Sequence, residues 1–168
     1  VGSGKTVSCV MELLRRACMQ APGRDGYRYT RFAVVRQTLK QLKDTVLKDT
    51  QDWLTSRGLG AWKVSASTYH LTFDDIRSEW VFLPLDSAED QARLLSMQLT
   101  GAWLSECIEM DINILGPISG RIGRYPSGAR GQPAWQGWIA DTNFPVEMSP
   151  WWNLMENPPL EYQIFKQP

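Results

Sequence analysis

Apolar residues recur every three to four positions near the start of the chain. The stripe consists of Val7, Val10, Met11, Leu14 and Cys18. This spacing is typical of an amphipathic helix that packs one face against a core. A segment with one Pro and two Gly follows at 20–26 and predicts a loop.

Three short apolar runs predict strands that are buried on both faces of a parallel sheet. They lie at 32–36, 101–105 and 136–140, and continuous apolar runs are typical of such strands. At 62–86 the period changes, because Tyr69, Leu71 and Phe73 alternate with polar residues. This alternation and the turn residues after Phe73 predict an antiparallel β-hairpin.

Two further helices are predicted between these strands. The longer one covers 37–56, ends at the glycines 58 and 60, and has one apolar face made of Leu39, Leu42, Val46 and Trp53. The shorter one begins at Ser87, which has the properties of an N-cap, since acidic residues occupy the following turn.

Composition narrows the possible classes of protein. The chain has 168 residues, enough for one domain with a core. Its 18 basic and 18 acidic residues leave no net charge, so charge neither favours nor excludes nucleic acid. Three scattered cysteines without metal-ligand spacing fit a reducing compartment. No apolar run approaches the roughly 18 residues that span a bilayer, and no membrane association is expected.

The residues before the first helix carry a chemical signal. Gly2-Ser3-Gly4-Lys5-Thr6 matches the end of the phosphate loop G-x-x-x-x-G-K-[ST]. Glycines let backbone N–H groups surround a phosphate, and the following helix N-terminus attracts the same anion. Lys5 would reach the β- and γ-phosphates of ATP, and the Thr6 hydroxyl would ligate Mg²⁺. The alternative is a flexible Gly/Ser N-terminus before an ordinary helix.

The run 99–106 is an apolar strand that ends in Glu106. In a P-loop ATPase the Walker B element has this form, and its carboxylate lies where ligands bind, at the carboxyl end of a parallel strand. Taken alone, the run also fits a strand that merely ends in a surface glutamate.

The segment 120–130 is rich in glycine and contains Arg121, Arg124 and Arg130. Such a loop can contact the phosphate backbone of DNA. It fits a solvated connector equally well.

In order, the segments G-S-G-K-T, F-A-V-V-R-Q-T-L-K-Q-L-K-D-T, T-G-A-W-L-S-E, G-R-I-G-R-Y-P-S and W-I-A-D-T-N-F-P resemble the ATPase domain of the large terminase subunit of tailed bacteriophages. The resemblance extends from Val1 to about Trp152. It implies a motor that hydrolyses ATP and pushes double-stranded DNA into a procapsid. It also implies a homo-oligomeric ring, a small terminase subunit and a portal protein as partners, and the host cytoplasm as compartment.

The resemblance assigns roles to individual residues. Gly2 to Thr6 correspond to the nucleotide-binding loop, with ATP and Mg²⁺ as cofactors. Glu106 corresponds to the glutamate that polarises the attacking water. Asp141, Thr142 and Asn143 correspond to the coupling motif that senses the γ-phosphate. Arg93 lies in the region of the trans-acting arginine finger.

Two positions leave this assignment open. Ser105 stands where many P-loop ATPases have an aspartate that holds the Mg²⁺ shell, so the metal assignment at that position is in doubt. Arg36 competes with Arg93 as the arginine finger, and each arginine also fits an ordinary surface or ion-paired role.

These observations predict one α/β domain over 1–168. Its fold would be a three-layer P-loop NTPase of the additional-strand, catalytic-glutamate type, with a mostly parallel central sheet and an antiparallel hairpin extension. On this resemblance, we expect the chain to begin inside the Walker A loop and to stop before the nuclease domain that family members usually carry. We therefore expect an apolar slot in the middle of the sheet and low stability.

Two other functions remain compatible with the sequence. A nucleoside or small-molecule kinase also uses a phosphate loop, but it usually has a lid with several arginines, and the arginines here are spread thinly. A module that binds nucleotide without hydrolysing it, or that binds nothing, would explain Ser105 and the incomplete loop.

Overall fold

A computed structural model of the protein describes residues 4–166. Within these residues six strands form one mixed sheet: β1 (Arg28–Arg36), β2 (Ala61–Lys63), β3 (Thr68–Phe73), β4 (Ile76–Pro84), β5 (Gly101–Ser105) and β6 (Gly137–Asp141). Their order in the sheet is β2-β3-β4-β1-β5-β6.

The core of the sheet is parallel. β4, β1, β5 and β6 run in the same direction, which confirms the α/β class and the mostly parallel sheet. β2 and β3 continue the sheet in antiparallel pairing. The predicted hairpin forms from β3 and β4, but its second strand is not part of an antiparallel extension. β4 pairs with β1 along its whole length, because its last five residues are all buried and suit a central strand.

The predicted slot in the middle of the sheet is absent from the part of the chain that the structure describes. Each strand is hydrogen-bonded to its neighbour, and β5 pairs directly with β6. β6 lies at the edge of the sheet and is only partly buried. The expected low stability stays a prediction.

Helices cover both faces of the sheet and complete three layers. They are α1 (Lys5–Met19), α2 (Leu39–Gln41), α3 (Lys48–Leu54), α4 (Ala88–Ser96), α5 (Leu115–Ser119) and α6 (Pro150–Glu156). One core contains Leu13 of α1 and Leu54 of α3, and the other contains Leu94 of α4 and Trp151 of α6. No helix within residues 4–166 is long and apolar enough to cross a membrane.

The helical stretch between β1 and β2 departs from regular geometry. A π-helical segment, Leu42–Leu47, separates α2 from α3. Leu42 and Val46 are buried as predicted, whereas Leu39 and Trp53 are each 38% exposed. The wider turn of a π-helix rotates the residues that follow it, so Leu54 takes the core position instead of Trp53. Gly58 ends the stretch with a left-handed φ of 70°, as expected.

At the start of β5, Gly101 packs closely against Trp135 and the backbone of β6, and this contact can be tested. A Cβ at Gly101 would lie 2.3 Å from the Trp135 ring and 2.6 Å from the Gly137 carbonyl oxygen. We expect Gly101→Ala to lower the free energy of unfolding by about 1–3 kcal/mol in chemical denaturation. Gly116→Ala is the matched control, because no atom lies within 4 Å of its Cβ position and alanine favours a helix. Equal unfolding midpoints for the two variants would contradict the close contact between Gly101 and Trp135.

Candidate functional site at the carboxyl ends of the parallel strands

The N-terminus of α1 carries the described part of the predicted phosphate loop. Gly4 precedes the helix with a left-handed φ of 71°, and Lys5 and Thr6 are its first two residues. Gly2 and Ser3 lie outside the described residues. No side chain among those described caps this helix, so its first N–H groups are available to an anion.

The ends of β5 and β6 form the other side of the site. The two strands are parallel and in register, with Ser105 opposite Asp141. Glu106 follows directly and has a left-handed backbone, with φ 50° and ψ 56°. This conformation costs a non-glycine residue free energy, and residues held in it are often found at functional sites.

Three of the predicted motifs meet at Asn143. The Lys5 ammonium group donates a hydrogen bond of 2.6 Å to the Asn143 side-chain oxygen. The backbone N–H of Asn143 donates to a Glu106 carboxylate oxygen at 3.3 Å, and its side-chain amide lies 3.5 Å from the same oxygen. Lys5 and Glu106, which the sequence analysis placed in two separate motifs, are therefore both in contact with Asn143.

Asp141 is a buried acid at the end of β6, with 7% of its surface exposed. The Trp103 indole N–H donates a 2.6 Å hydrogen bond to its Oδ1, and the Cys9 sulfur lies 3.9 Å from the same oxygen. Burial raises the pKa of the Asp141 carboxyl, while the bond from Trp103 and the nearby charge of Lys5 act in the opposite direction.

Trp103 was not among the predicted site residues. It belongs to the core on the side of α1 and is fully buried. The two-residue period of β5 places Trp103 on the same face as Ser105, but its bond to Asp141 depends on the pairing of β5 with β6.

Two other buried groups lie near Asp141, the hydroxyl of Thr142 and the thiol of Cys107. The hydroxyl of Thr142 has no hydrogen-bond partner among the described residues. Burial raises the pKa of the Cys107 thiol to about 12, with a contribution from the charge of Asp141. Cys107 is thus a neutral thiol at neutral pH and a poor nucleophile.

Arg36 is the last residue of β1, and its side chain contacts other residues of the same chain. Its guanidinium donates a 2.6 Å hydrogen bond to the Thr45 hydroxyl, and its Nε lies 3.8 Å from a carboxylate oxygen of Glu109. Only 12% of its side chain is exposed. These contacts suit a residue that acts within one subunit better than one that reaches a neighbour.

Arg93 does not contact Lys5, Glu106 or Asn143 within residues 4–166. It is exposed on α4, and its guanidinium lies 3.5 Å from the carbonyl oxygen of Ala66. Ala66 connects β2 to β3, the two strands farthest from β5 and β6 in the sheet order.

The three arginines of the predicted DNA-binding loop lie at the opposite end of the sheet. The backbone of Arg121 and of Arg124 bonds to Leu99, just before β5 begins. Arg130 donates to the Tyr125 hydroxyl at 3.0 Å and stacks over Tyr29 at 4.7 Å. The phosphate-loop residues and the arginine loop are therefore at the two ends of the parallel strands.

The architecture matches solved structures of viral proteins. The large terminase of a thermophilic bacteriophage superposes with a TM-score of 0.63 at 17% identity, over 83% of this chain and 31% of that one. Its complex with ADP gives a TM-score of 0.61 at 16% identity, with the same coverage. The large terminase of bacteriophage HK97 gives 0.53 at 15% identity, over 83% of this chain and 26% of that one. The chain therefore has a fold that these large terminases contain. The resemblance predicted from the sequence is thereby confirmed at the level of the fold.

Comparison at the level of sequence adds no assignment. No protein-family model and no curated protein matches the chain. The chain spans about a third of the length of the thermophilic phage terminase that it matches.

Proposed function

We propose that the chain is the ATP-hydrolysing motor domain of a viral terminase large subunit, which moves double-stranded DNA into a procapsid. The contact of Lys5 with Asn143, and of Asn143 with Glu106, carries this proposal. A lysine that contacts the phosphates and a carboxylate that orients the attacking water are two of the groups that P-loop ATPases use. The terminase fold supports the assignment.

The nucleotide would bind at the N-terminus of α1. Gly2, Ser3 and Gly4 would surround its phosphates with backbone N–H groups, and Lys5 would contact the β- and γ-phosphates. The thermophilic phage terminase, which has this fold, was solved in complex with ADP. ATP is therefore the proposed substrate.

Magnesium is the metal that such a site would use. Residues 4–166 contain no cluster of three or more His, Cys, Asp or Glu side chains that could hold a metal. Mg²⁺ does not need such a cluster, because it is usually held by one or two protein oxygens together with the phosphates of the nucleotide. The Thr6 hydroxyl is an oxygen donor of this kind. When bound, the ion would neutralise charge on the phosphates.

Glu106 would act as the general base that orients and polarises the attacking water. Asn143 connects this carboxylate to Lys5, so a displacement of either residue changes the contacts of the other. In this proposal Asp141, Thr142 and Asn143 form the coupling segment, which reports the γ-phosphate to the rest of the domain.

Double-stranded DNA is the proposed polymer substrate, and the arginine loop is its proposed contact. Arg124 and Arg130 are exposed, and the Arg130 guanidinium is held in place by Tyr29 and Tyr125. A guanidinium that is already oriented loses less side-chain entropy when it binds a phosphate.

The remaining partners follow from the proposed motor. It would work as a homo-oligomeric ring in the host cytoplasm, together with a small terminase subunit and a portal protein. Arg93 is exposed and lies near the edge of the sheet away from Glu106 of its own chain. Such a position suits an arginine that completes the site of a neighbouring subunit.

The first test separates binding from hydrolysis in the full-length protein. We expect Lys5→Ala and Glu106→Gln both to abolish ATP turnover. Lys5→Ala should also weaken nucleotide binding, because a positive charge on the phosphates is removed, whereas Glu106→Gln should bind nearly normally. Nucleotide affinity and phosphate release are measured for both, with the exposed Lys43→Ala and Glu89→Gln as matched controls. Hydrolysis at the unmodified rate by Glu106→Gln would show that the Walker B assignment is wrong.

The second test concerns the arginine loop. Neutralising Arg121, Arg124 and Arg130 together should weaken binding to duplex DNA and flatten its salt dependence. The log–log slope should fall by about one for each DNA phosphate that the protein no longer neutralises. The control neutralises Lys40, Lys43 and Lys48, three exposed residues elsewhere, with the same change in charge. If both triple variants keep the original slope, the loop does not bind DNA.

The third test asks whether Arg93 acts in trans. Arg93→Ala and Glu106→Gln subunits should each be inactive alone, but a mixture should regain some turnover, because some interfaces then pair an intact glutamate with an intact arginine. Arg36→Ala is mixed in the same way as the competing candidate. Lys5→Ala with Glu106→Gln is the negative control, since those two residues meet within one chain. No recovery at any ratio for Arg93→Ala would exclude the trans role.

A further inference from the structure

The end of β5 lacks the carboxylate that a P-loop ATPase usually has before its catalytic glutamate. Ser105 holds that position and is 1% exposed. Its side chain points toward α1, because it lies two residues from Trp103, which packs in the core on that side. A serine hydroxyl carries no charge and is a weaker partner for the water shell of a cation.

A carboxylate lies beside this position on the neighbouring strand. Asp141 is the register partner of Ser105, and paired residues of adjacent strands point to the same face at a strand spacing of about 4.8 Å. Its contacts with Trp103 and Cys9 show that it faces α1. Cys9 is one helical turn after Thr6, so Thr6 and Cys9 share a face of that helix.

One oxygen of this carboxylate remains available. Trp103 and Cys9 both contact Oδ1, and no hydrogen-bond donor to Oδ2 is found among residues 4–166. A carboxylate that is this buried is costly unless positive charge or further hydrogen bonds compensate it. The second oxygen of Asp141, on a carboxylate that faces the side of α1 carrying Thr6 and Cys9, therefore suits the water shell of a divalent cation, which prefers oxygen ligands.

We infer that Asp141 replaces the missing Walker B aspartate and holds the Mg²⁺ water shell from β6, opposite Thr6. The inference rests on the proposed nucleotide site. It gives Asp141 a task distinct from that of Asn143, which contacts Lys5 and Glu106. Trp103 is then a positioning residue, since its hydrogen bond fixes one oxygen of the carboxylate and leaves the other free.

The test measures metal binding rather than turnover. Mn²⁺ is titrated into the full-length protein with a non-hydrolysable ATP analogue, and free Mn²⁺ is followed by electron paramagnetic resonance. Asp141→Asn should weaken Mn²⁺ binding by about 10–100-fold, the usual effect of removing a partner of the metal's ligands. Affinity for the analogue without metal should change much less, because Asp141 would act on the metal's water shell and not on the phosphates. Glu109→Gln removes a carboxylate near the same strand ends and should bind Mn²⁺ normally.

A second variant places the carboxylate on β5 instead of β6. Ser105→Asp combined with Asp141→Asn should regain Mn²⁺ affinity, since the acid then stands at the usual Walker B position. This variant is measured by itself if Asp141→Asn does not fold. Unchanged Mn²⁺ affinity in Asp141→Asn, or weak binding in the double variant, would overturn the inference and leave the proposed function intact. An unmodified protein that does not bind the analogue would overturn both.

Discussion

The parallel pairing of β5 with β6 is the constraint on which the site depends. It sets Ser105 against Asp141, so that Glu106 and Asn143 emerge side by side at the same edge of the sheet. A slip of β6 by one residue would turn Asp141 to the other face of the sheet, away from Trp103 and α1. The same pairing requires a buried acid at the edge of the sheet, and the Trp103 indole N–H offsets part of the cost of that burial.

The helix α1 connects the two ends of the domain. Its 15 residues extend over about 22 Å, from Lys5 at the candidate nucleotide site to Gln20 at the other end. The buried Gln20 side chain donates to the Gln132 carbonyl and accepts from the Ala134 N–H. The segment that follows the arginine loop is thus fastened to α1, and it leads through β6 into the coupling motif. A rigid helix and a strand join the proposed DNA contacts to the proposed site of hydrolysis.

The sequence revealed the parts of the site that depend on local pattern. The amphipathic helix that begins at Lys5 and the apolar strand before Glu106 are local features, and both form where they were expected. Long-range pairing was harder to infer. The place of β4 in the parallel core depends on its partner β1, and the exposure of Trp53 depends on a π-turn that no local signal indicates. The hydrogen bond from Trp103 to Asp141 joins residues of two strands and required the register to be known.

The central claim is that α1, β5 and β6 form one nucleotide site within a single chain. A crystal structure of the full-length protein with Mg²⁺ and a non-hydrolysable ATP analogue tests it most directly. The account predicts that the phosphates lie on the N-terminus of α1 within hydrogen-bond distance of Lys5. It also predicts the carboxylate of Glu106 at the position of the attacking water and Asp141 beside the metal's water shell. Phosphates bound away from Lys5, or Glu106 and Asp141 both directed away from the nucleotide, would contradict it.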